Sequence, residues 1–263
     1  MRVDKHSKAA SLKQRLADNE LTIGSWVTLG HPSIAEIMAS AGFDWLVIDA
    51  EHSAIELSEI QLLIQAMDGQ DCPAIVRITS NDANQIKRVM DCGATGVMVP
   101  MVNCAADAEA AVSHTYYPPK GTRGVGLARA QGYGAGFQEY LKWMDNHAVV
   151  VVMIEHKDAV ENIDEILSVP GVDAFIIGPY DLSASMGMPG EVSHPDVQDA
   201  ISRVCAAGLA HKKTGGLHVV EPDKDALYGL IDSGYRFMGY SLDTRILDAN
   251  CRQDLGEIRQ RHA

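Results

Sequence analysis

The chain has 263 residues, 46% of them hydrophobic, and a formal net charge of −13. That apolar share supports one large core, and an acidic chain without a Lys/Arg run argues against nucleic acid or an anionic membrane surface as a partner. No apolar run approaches the roughly 20 residues that a membrane-spanning helix needs.

The opening M-R-V-D-K-H-S-K is basic but lacks the apolar stretch of a secretory leader. Short β-rich runs then recur along the chain: residues 22–29, 45–49, 74–79, 96–102, 149–155, 174–179, 214–217 and 237–241. Between them lie apolar residues at helical spacing. Examples are Leu57–Ile60–Leu63–Ile64–Met67, Ala83–Ile86–Val89–Met90, Ala159–Ile163–Ile166–Leu167 and Ala226–Leu227–Leu230–Ile231. Gly42, Gly69, Gly93, Gly171, Gly208 and Gly234 follow or close helical runs and are expected as left-handed caps.

Eight strands alternating with helices predict a parallel sheet, and eight such units in this length predict a single-domain (β/α)8 TIM barrel over residues 1–263. A doubly wound open sheet is the rival, weakened by the absence of G-x-G-x-x-G after the first strand. Residues 116–148 break the rhythm with many glycines and two adjacent prolines, which predicts a functional or interface connection. Cys72, Cys92, Cys104, Cys205 and Cys251 form no C-x-x-C pair and read as reduced thiols of a cytoplasmic protein.

In such a barrel, reactive groups sit at the C-terminal strand ends. The second strand ends in Asp49, Glu51 and His52. Arg77 lies in the third, Glu155 and His156 end the fifth, and Gly178-Pro179-Tyr180-Asp181 follows the sixth. Glu155 and Asp181 form a plausible oxygen-only pair for Mg²⁺ or Mn²⁺. The alternatives are a solvated strand end for Glu155 and a helix N-cap for Asp181. The amides of Tyr180 and Asp181 open a helix and suit a carboxylate. Arg77 reads either as a cation beside a developing enolate or as a structural partner of Glu51. His52 is the best general-base candidate, with metal ligand or turn residue as alternatives. His31, His114, His147, His194 and His211 read as turn or helix residues. His218 reads as a turn or helix residue too, but it and His156 are left open, since His218, just after the seventh strand, could reach the mouth. No G-x-S-x-G elbow or P-loop is present.

Taken in order, F-D-W-L-V-I-D-A-E-H, V-R, D-C-G-A-T-G-V-M-V-P-M-V, Y-P-P-K-G-T-R-G-V-G, I-E and G-V-D-A-F-I-I-G-P-Y-D-L-S-A-S-M-G resemble the HpcH/HpaI aldolases, from about Gly24 to Thr244. The resemblance implies a metal-dependent class II pyruvate aldolase on a (β/α)8 barrel. It also implies a homo-oligomer, a hexamer built as a trimer of dimers, with the C-terminal helix packed on or exchanged with a neighbouring subunit. It assigns His52 as the base, Arg77 to the pyruvate enolate, and Glu155 and Asp181 to the divalent ion (Mg²⁺, Mn²⁺ or Co²⁺). The amide of Tyr180, in the turn begun by Gly178, falls to the substrate carboxylate. Asp91 falls to the carboxylate that raises the basicity of His52, and Asp49 and Glu51 to the supporting shell. Asp91 lies at the bottom end of its helix while His52 is at the top, so a neighbouring subunit is expected to supply it. One departure stands out. Relatives carry Gln two residues before the metal Glu, and here Met153 replaces it.

The implied reaction is reversible cleavage of a 4-hydroxy-2-oxo acid to pyruvate and an aldehyde. The alternatives are oxaloacetate decarboxylation or a decarboxylative condensation through the same enolate, and a non-catalytic keto-acid-binding barrel. None of Lys142, Lys157, Lys212 or Lys213 lies in a predicted strand, which argues against an imine-forming lysine. Leu217, His218 and the 116–148 segment are the candidates for the aldehyde side.

Overall fold

The computed structural model describes residues 8–262, so the first seven residues of the basic opening stretch lie outside the described residues. Among the described residues, eight parallel strands pair in chain order and close on themselves. They are β1 (Thr22–Val27), β2 (Trp45–Asp49), β3 (Ala74–Arg77), β4 (Gly96–Val99), β5 (Val149–Ile154), β6 (Ala174–Ile177), β7 (Thr214–Val219) and β8 (Phe237–Leu242). The predicted barrel is therefore observed, with β1 pairing both β2 and β8.

Period-two alternation divides the strand residues between two cores. One set fills the barrel: Trp45 and Phe237 stack at 4.2 Å, with Val47, Ile75, Val151 and Ile176 around them and Trp26 and Met153 in the same cluster. The other set, including Ile48, Val76, Val97, Val150, Val152 and Leu217, packs under the helices. Both faces of the sheet are covered, so β5 is apolar throughout as V-V-V-V-M-I. The helix α1 (Lys8–Ala17) lies across the bottom. Its Leu12 and Leu16 are buried in the barrel-filling cluster, and Lys13 reaches the carbonyl of Ala148 and the carboxylate of Asp173.

Helices α3 (Leu57–Gly69) and α4 (Ala83–Asp91) bury the stripes read from sequence, as does α11 (Lys224–Asp232) in part, and α2 (Pro32–Ser40) buries Ala35, Met38 and Ala39. The run Ala159–Leu167 is instead two short helices, α7 (Lys157–Glu161) and α8 (Ile163–Ser168), broken at Asn162. Gly42, Gly93, Gly171 and Gly234 adopt positive φ as expected. Gly69 and Gly208 do not. Gly69 is the last residue of α3, and Gly208 lies inside α10 (Pro195–Ala210), where a Cβ would come within 2.6 Å of the Phe175 ring. Gly208 is a packing glycine.

Helix α5 (Ala105–Thr115) leads into the glycine-rich connection, which carries its own helix, α6 (Phe137–His147). Arg123 anchors that layer: it is buried, pairs with Asp91, donates to the Tyr140 hydroxyl at 3.0 Å and lies over the Tyr117 ring. His31, His156 and His194 serve as helix N-caps, each accepting from the amide two residues on at 3.2 Å. The last helix, α12 (Asp243–His262), begins on Asp243, whose carboxylate accepts the amides of Thr28 and Leu29 at 2.8 Å and so ties the end of β1 to the end of β8. Among the described residues, no helix is long and apolar enough to cross a membrane.

Candidate active site

The strand ends open on a pocket of about 300 Å³. Its lining includes Asp49, His52, Arg77, Met153, Gly178, Tyr180 and Asp181 on one side, and Trp26, Thr28, His218, Val220 and Leu242 on the other.

Register explains the central pair. Asp49 and Arg77 occupy matched positions on β2 and β3. Arg77 donates from Nε to Asp49 Oδ1 at 3.0 Å and from Nη2 to Oδ2 at 2.6 Å, a two-pronged pair. Its Nη1 lies 3.4 Å from Glu51 Oε2, and that same oxygen lies 3.8 Å from His52 Nε2. Arg77 thus has Asp49 as its main partner, with the Glu51 pairing weighed from sequence as the longer contact. Asp49 Oδ1 also accepts the amides of Glu51 at 3.1 Å and His52 at 3.2 Å, which shapes the turn that carries the imidazole. The His52 side chain is 67% exposed, free to approach a substrate.

Glu155 follows β5 directly and is buried, and its Oε1 accepts the amide of Met101 at 2.7 Å. Met101 achieves this with a positive φ of 52°, uncommon for a residue with a side chain. Burial pushes the Glu155 carboxyl up to about 7. The Met101 amide opposes the shift, the nearby Glu51 and Asp181 carboxylates reinforce it, and Arg77 opposes it. Glu51 is raised as well, first by burial, with Arg77 and His52 opposing.

The donor chemistry suits a divalent cation. Four carboxylates (Asp49, Glu51, Glu155, Asp181) share the site with one guanidinium, which pairs with Asp49 and Glu51, and burial, reinforced by the Glu51 and Asp181 charges, raises Glu155. Gly178 keeps room beside it, since a Cβ there would come within 2.9 Å of Glu155 Oε2. Glu155 and Asp181 are the two whose charge Arg77 does not pair within ion-pair distance. The described residues hold no metal-binding cluster of three or more His, Cys, Asp or Glu side chains. Two protein carboxylates with substrate and water oxygens is the arrangement that hard cations accept.

The family model for HpcH/HpaI aldolase/citrate lyase matches residues 22–248. The chain belongs to this family. It is 41% identical over 242 residues to the 4-hydroxy-2-oxovalerate aldolase of Rhodococcus jostii, covering 90% of this chain and 91% of that one. It is 38% identical over 253 residues to the hydroxypyruvate/pyruvate aldolase of Pseudomonas aeruginosa, covering 94% and 92%. A solved HpcH/HpaI aldolase/citrate lyase family protein from Burkholderia cenocepacia superposes with a TM-score of 0.91 at 36% identity, covering 95% and 99%. The chain is an aldolase, a carbon–carbon lyase.

One of the aldolase's sequence-derived assignments sits elsewhere. Leu217 faces the helices, in the outer core. Its neighbour His218 is the β7 residue that lines the pocket, because adjacent strand residues point to opposite faces. Asp91 closes α4, and within this chain its partner is Arg123, away from His52. Asp181 is not an N-cap: Gly178 holds that position of the short helix α9 (Pro179–Ser185), and Asp181 sits in the first turn. Trp26 and Thr28 were missed from sequence, although Trp26 lies in a run already read as the first strand.

Proposed function

We propose that this aldolase cleaves and forms 4-hydroxy-2-oxo acids, with pyruvate and an aldehyde as the cleavage products. Glu155 and Asp181 hold a divalent ion, Mg²⁺, Mn²⁺ or Co²⁺. When bound, that ion supplies Lewis-acid stabilisation of charge on the keto acid's oxygens. The observation that carries the reading is the set of four carboxylates sharing the site with Arg77, with Gly178 leaving space beside Glu155.

The chain's own residues supply the rest. The amides of Tyr180 and Asp181, in the turn begun by Gly178, hold the substrate carboxylate. Arg77, fixed by Asp49, faces the keto oxygen as it gains enolate charge. In cleavage the 4-hydroxyl gives its proton to His52, directly or through a water, the C3–C4 bond breaks, the aldehyde leaves, and the electron pair passes into the enolate. His52 then returns a proton to C3, and in the reverse direction it removes that proton. Met153 presents a thioether where relatives present an amide, so the keto acid is held with one polar contact fewer on that side.

The same proposal covers the assembly. The C-terminal half of α12 is exposed, including Leu255 and Ile258, which supports packing on or exchange with a second copy in a homo-oligomer, taken as a trimer of dimers. Asp91 then serves the His52 of a neighbour. Cys92, Cys104, Cys205 and Cys251, which form no disulfide among the described residues, support a cytoplasmic setting for this single barrel domain. The deciding experiment follows the pyruvate methyl protons in ²H₂O with Mn²⁺ and no aldehyde. Exchange is expected, and its absence would overturn the enolate reading.

A further inference from the structure

The two sides of the pocket differ in chemistry. The charged groups stand on the β2, β3, β5 and β6 side. The lining of the β1, β7 and β8 side is Trp26, Thr28, His218, Val220 and Leu242, with no carboxylate, ammonium or guanidinium.

His218 is held there in a defined orientation. Its ring stacks on Trp26 at 4.1 Å and 12°. The stack exists because β8 has Gly239 beneath it: a Cβ there would come within 2.3 Å of Trp26 Cζ3 and 3.2 Å of His218 Cδ2. His218 Nε2 lies 2.9 Å from the carbonyl oxygen of Ser241. A carbonyl only accepts, so Nε2 carries the proton, and Nδ1 of the neutral ring is left as an acceptor. Cδ2 and Nε2 both face β8, so the Nδ1 edge is turned away from it. Nδ1 has no protein donor among the described residues. Burial, with Arg77 adding to it, pushes the imidazole down to about 4, so the ring stays neutral where an enolate aldolase works.

Building on the aldolase reading above, we propose that His218 is a specificity residue for the aldehyde: Nδ1 accepts a hydrogen bond from a hydroxyl of an uncharged hydroxyaldehyde whose carbon chain lies along the Trp26–His218 stack. An alkyl aldehyde leaves this acceptor unpaired, and a site built around a hydrogen bond rejects analogues that lack the donor. A carboxylate-bearing aldehyde meets a lone-pair acceptor and no free cation. Arg77, the only guanidinium or ammonium among the described lining residues, is held by Asp49 and Glu51.

The test measures kcat/KM with pyruvate and Mn²⁺ for three acceptors: glyceraldehyde, propanal and succinic semialdehyde. The wild type is expected to prefer glyceraldehyde to each of the others by about tenfold or more. His218→Gln keeps an amide donor for Ser241 O and moves its acceptor oxygen off the Nδ1 position. It should lower the glyceraldehyde-to-propanal ratio about tenfold. His218→Asn sets an acceptor near the Nδ1 position and should recover part of the ratio. An unchanged ratio in a folded Gln variant, or a wild type that prefers propanal or the semialdehyde, overturns the inference. Should neither variant fold, the wild-type ranking decides. Pyruvate methyl exchange in the wild type separates the two levels. Without exchange the aldolase reading itself fails, whereas exchange with the wrong acceptor ranking removes only the role of His218.

Discussion

Asp49 and Arg77 meet edge to edge across matched positions of β2 and β3, with donor–acceptor distances of 3.0 and 2.6 Å. Asp49 is buried, so neither partner is replaced without leaving the other charge exposed to a poor environment. Asp49→Asn is expected to cost about 3 kcal/mol of stability. It should also lower kcat for aldol cleavage, because the guanidinium loses its fixed aim. Denaturant unfolding and kcat measured on the same preparation check both. A variant with wild-type stability and turnover would remove Asp49 as the positioning residue of Arg77.

His52 is assigned the proton transfer at C3. His52→Ala should slow pyruvate methyl exchange by about 10²-fold or more. The fold should survive, since the side chain is largely solvent-exposed. Exchange at the wild-type rate would move the base elsewhere.

Chelation should abolish cleavage, and added Mn²⁺, Co²⁺ or Mg²⁺ should restore it, but not in Glu155→Gln. The Glu155 carboxyl titrates near 7 in the fold against an ordinary 4.5. Between these values the native metal-free protein holds a proton that the unfolded chain has lost. Its contribution to stability therefore falls as pH rises from 4.5 to 7, by roughly 3 kcal/mol at the limit. A cation needs the deprotonated form, so Mn²⁺ affinity should weaken as pH drops below about 7. Calorimetric titration at pH 8, 7 and 6 reads this directly, and a pH-independent affinity would contradict it.

His218 works in the opposite sense. Its value near 4 lies below the ordinary 6.5, so the unfolded chain takes up a proton that the native state refuses. Its contribution is present above 6.5 and is lost as pH falls towards 4. The stability difference between wild type and His218→Gln should therefore shift in favour of the variant across that window. A difference constant with pH would show that burial does not hold the ring neutral.

Met101 places its amide on Glu155 through a left-handed backbone. A β-branched side chain tolerates that conformation badly, at a cost of about 1–3 kcal/mol, whereas glycine accepts it freely. Met101→Ile should weaken Mn²⁺ binding and Met101→Gly should retain it. Met101 is 47% exposed, so loss of packing does not confuse the comparison. Equal affinities in the two variants would separate backbone conformation from metal binding.

The barrel was legible in the sequence because each strand is a local event, a short apolar run ended by a turn. The polar residues at the strand ends were legible for the same reason, and Asp49, His52, Arg77, Gly178, Tyr180 and Asp181 do converge on one pocket. Non-local detail was not legible. Arg77 takes Asp49 as its main partner because of strand register, which no single segment encodes. Leu217 and His218 were both candidates for the aldehyde side, and only the phase of β7 separates them, which a strand beginning T-G-G gives little apolar alternation to read. Gly208 resembles a cap until Phe175 is brought against it. The left-handed turn at Met101 has no sequence signal of its own.

Trp45, Phe237, Ile75 and Val151 fill the barrel and Leu12 and Leu16 cover it from below, so the pocket is a well and not a pipe. Solvent, substrate and product share a single doorway. Once a keto acid and an aldehyde fill it, the water that would quench a carbanion prematurely has no rear entrance.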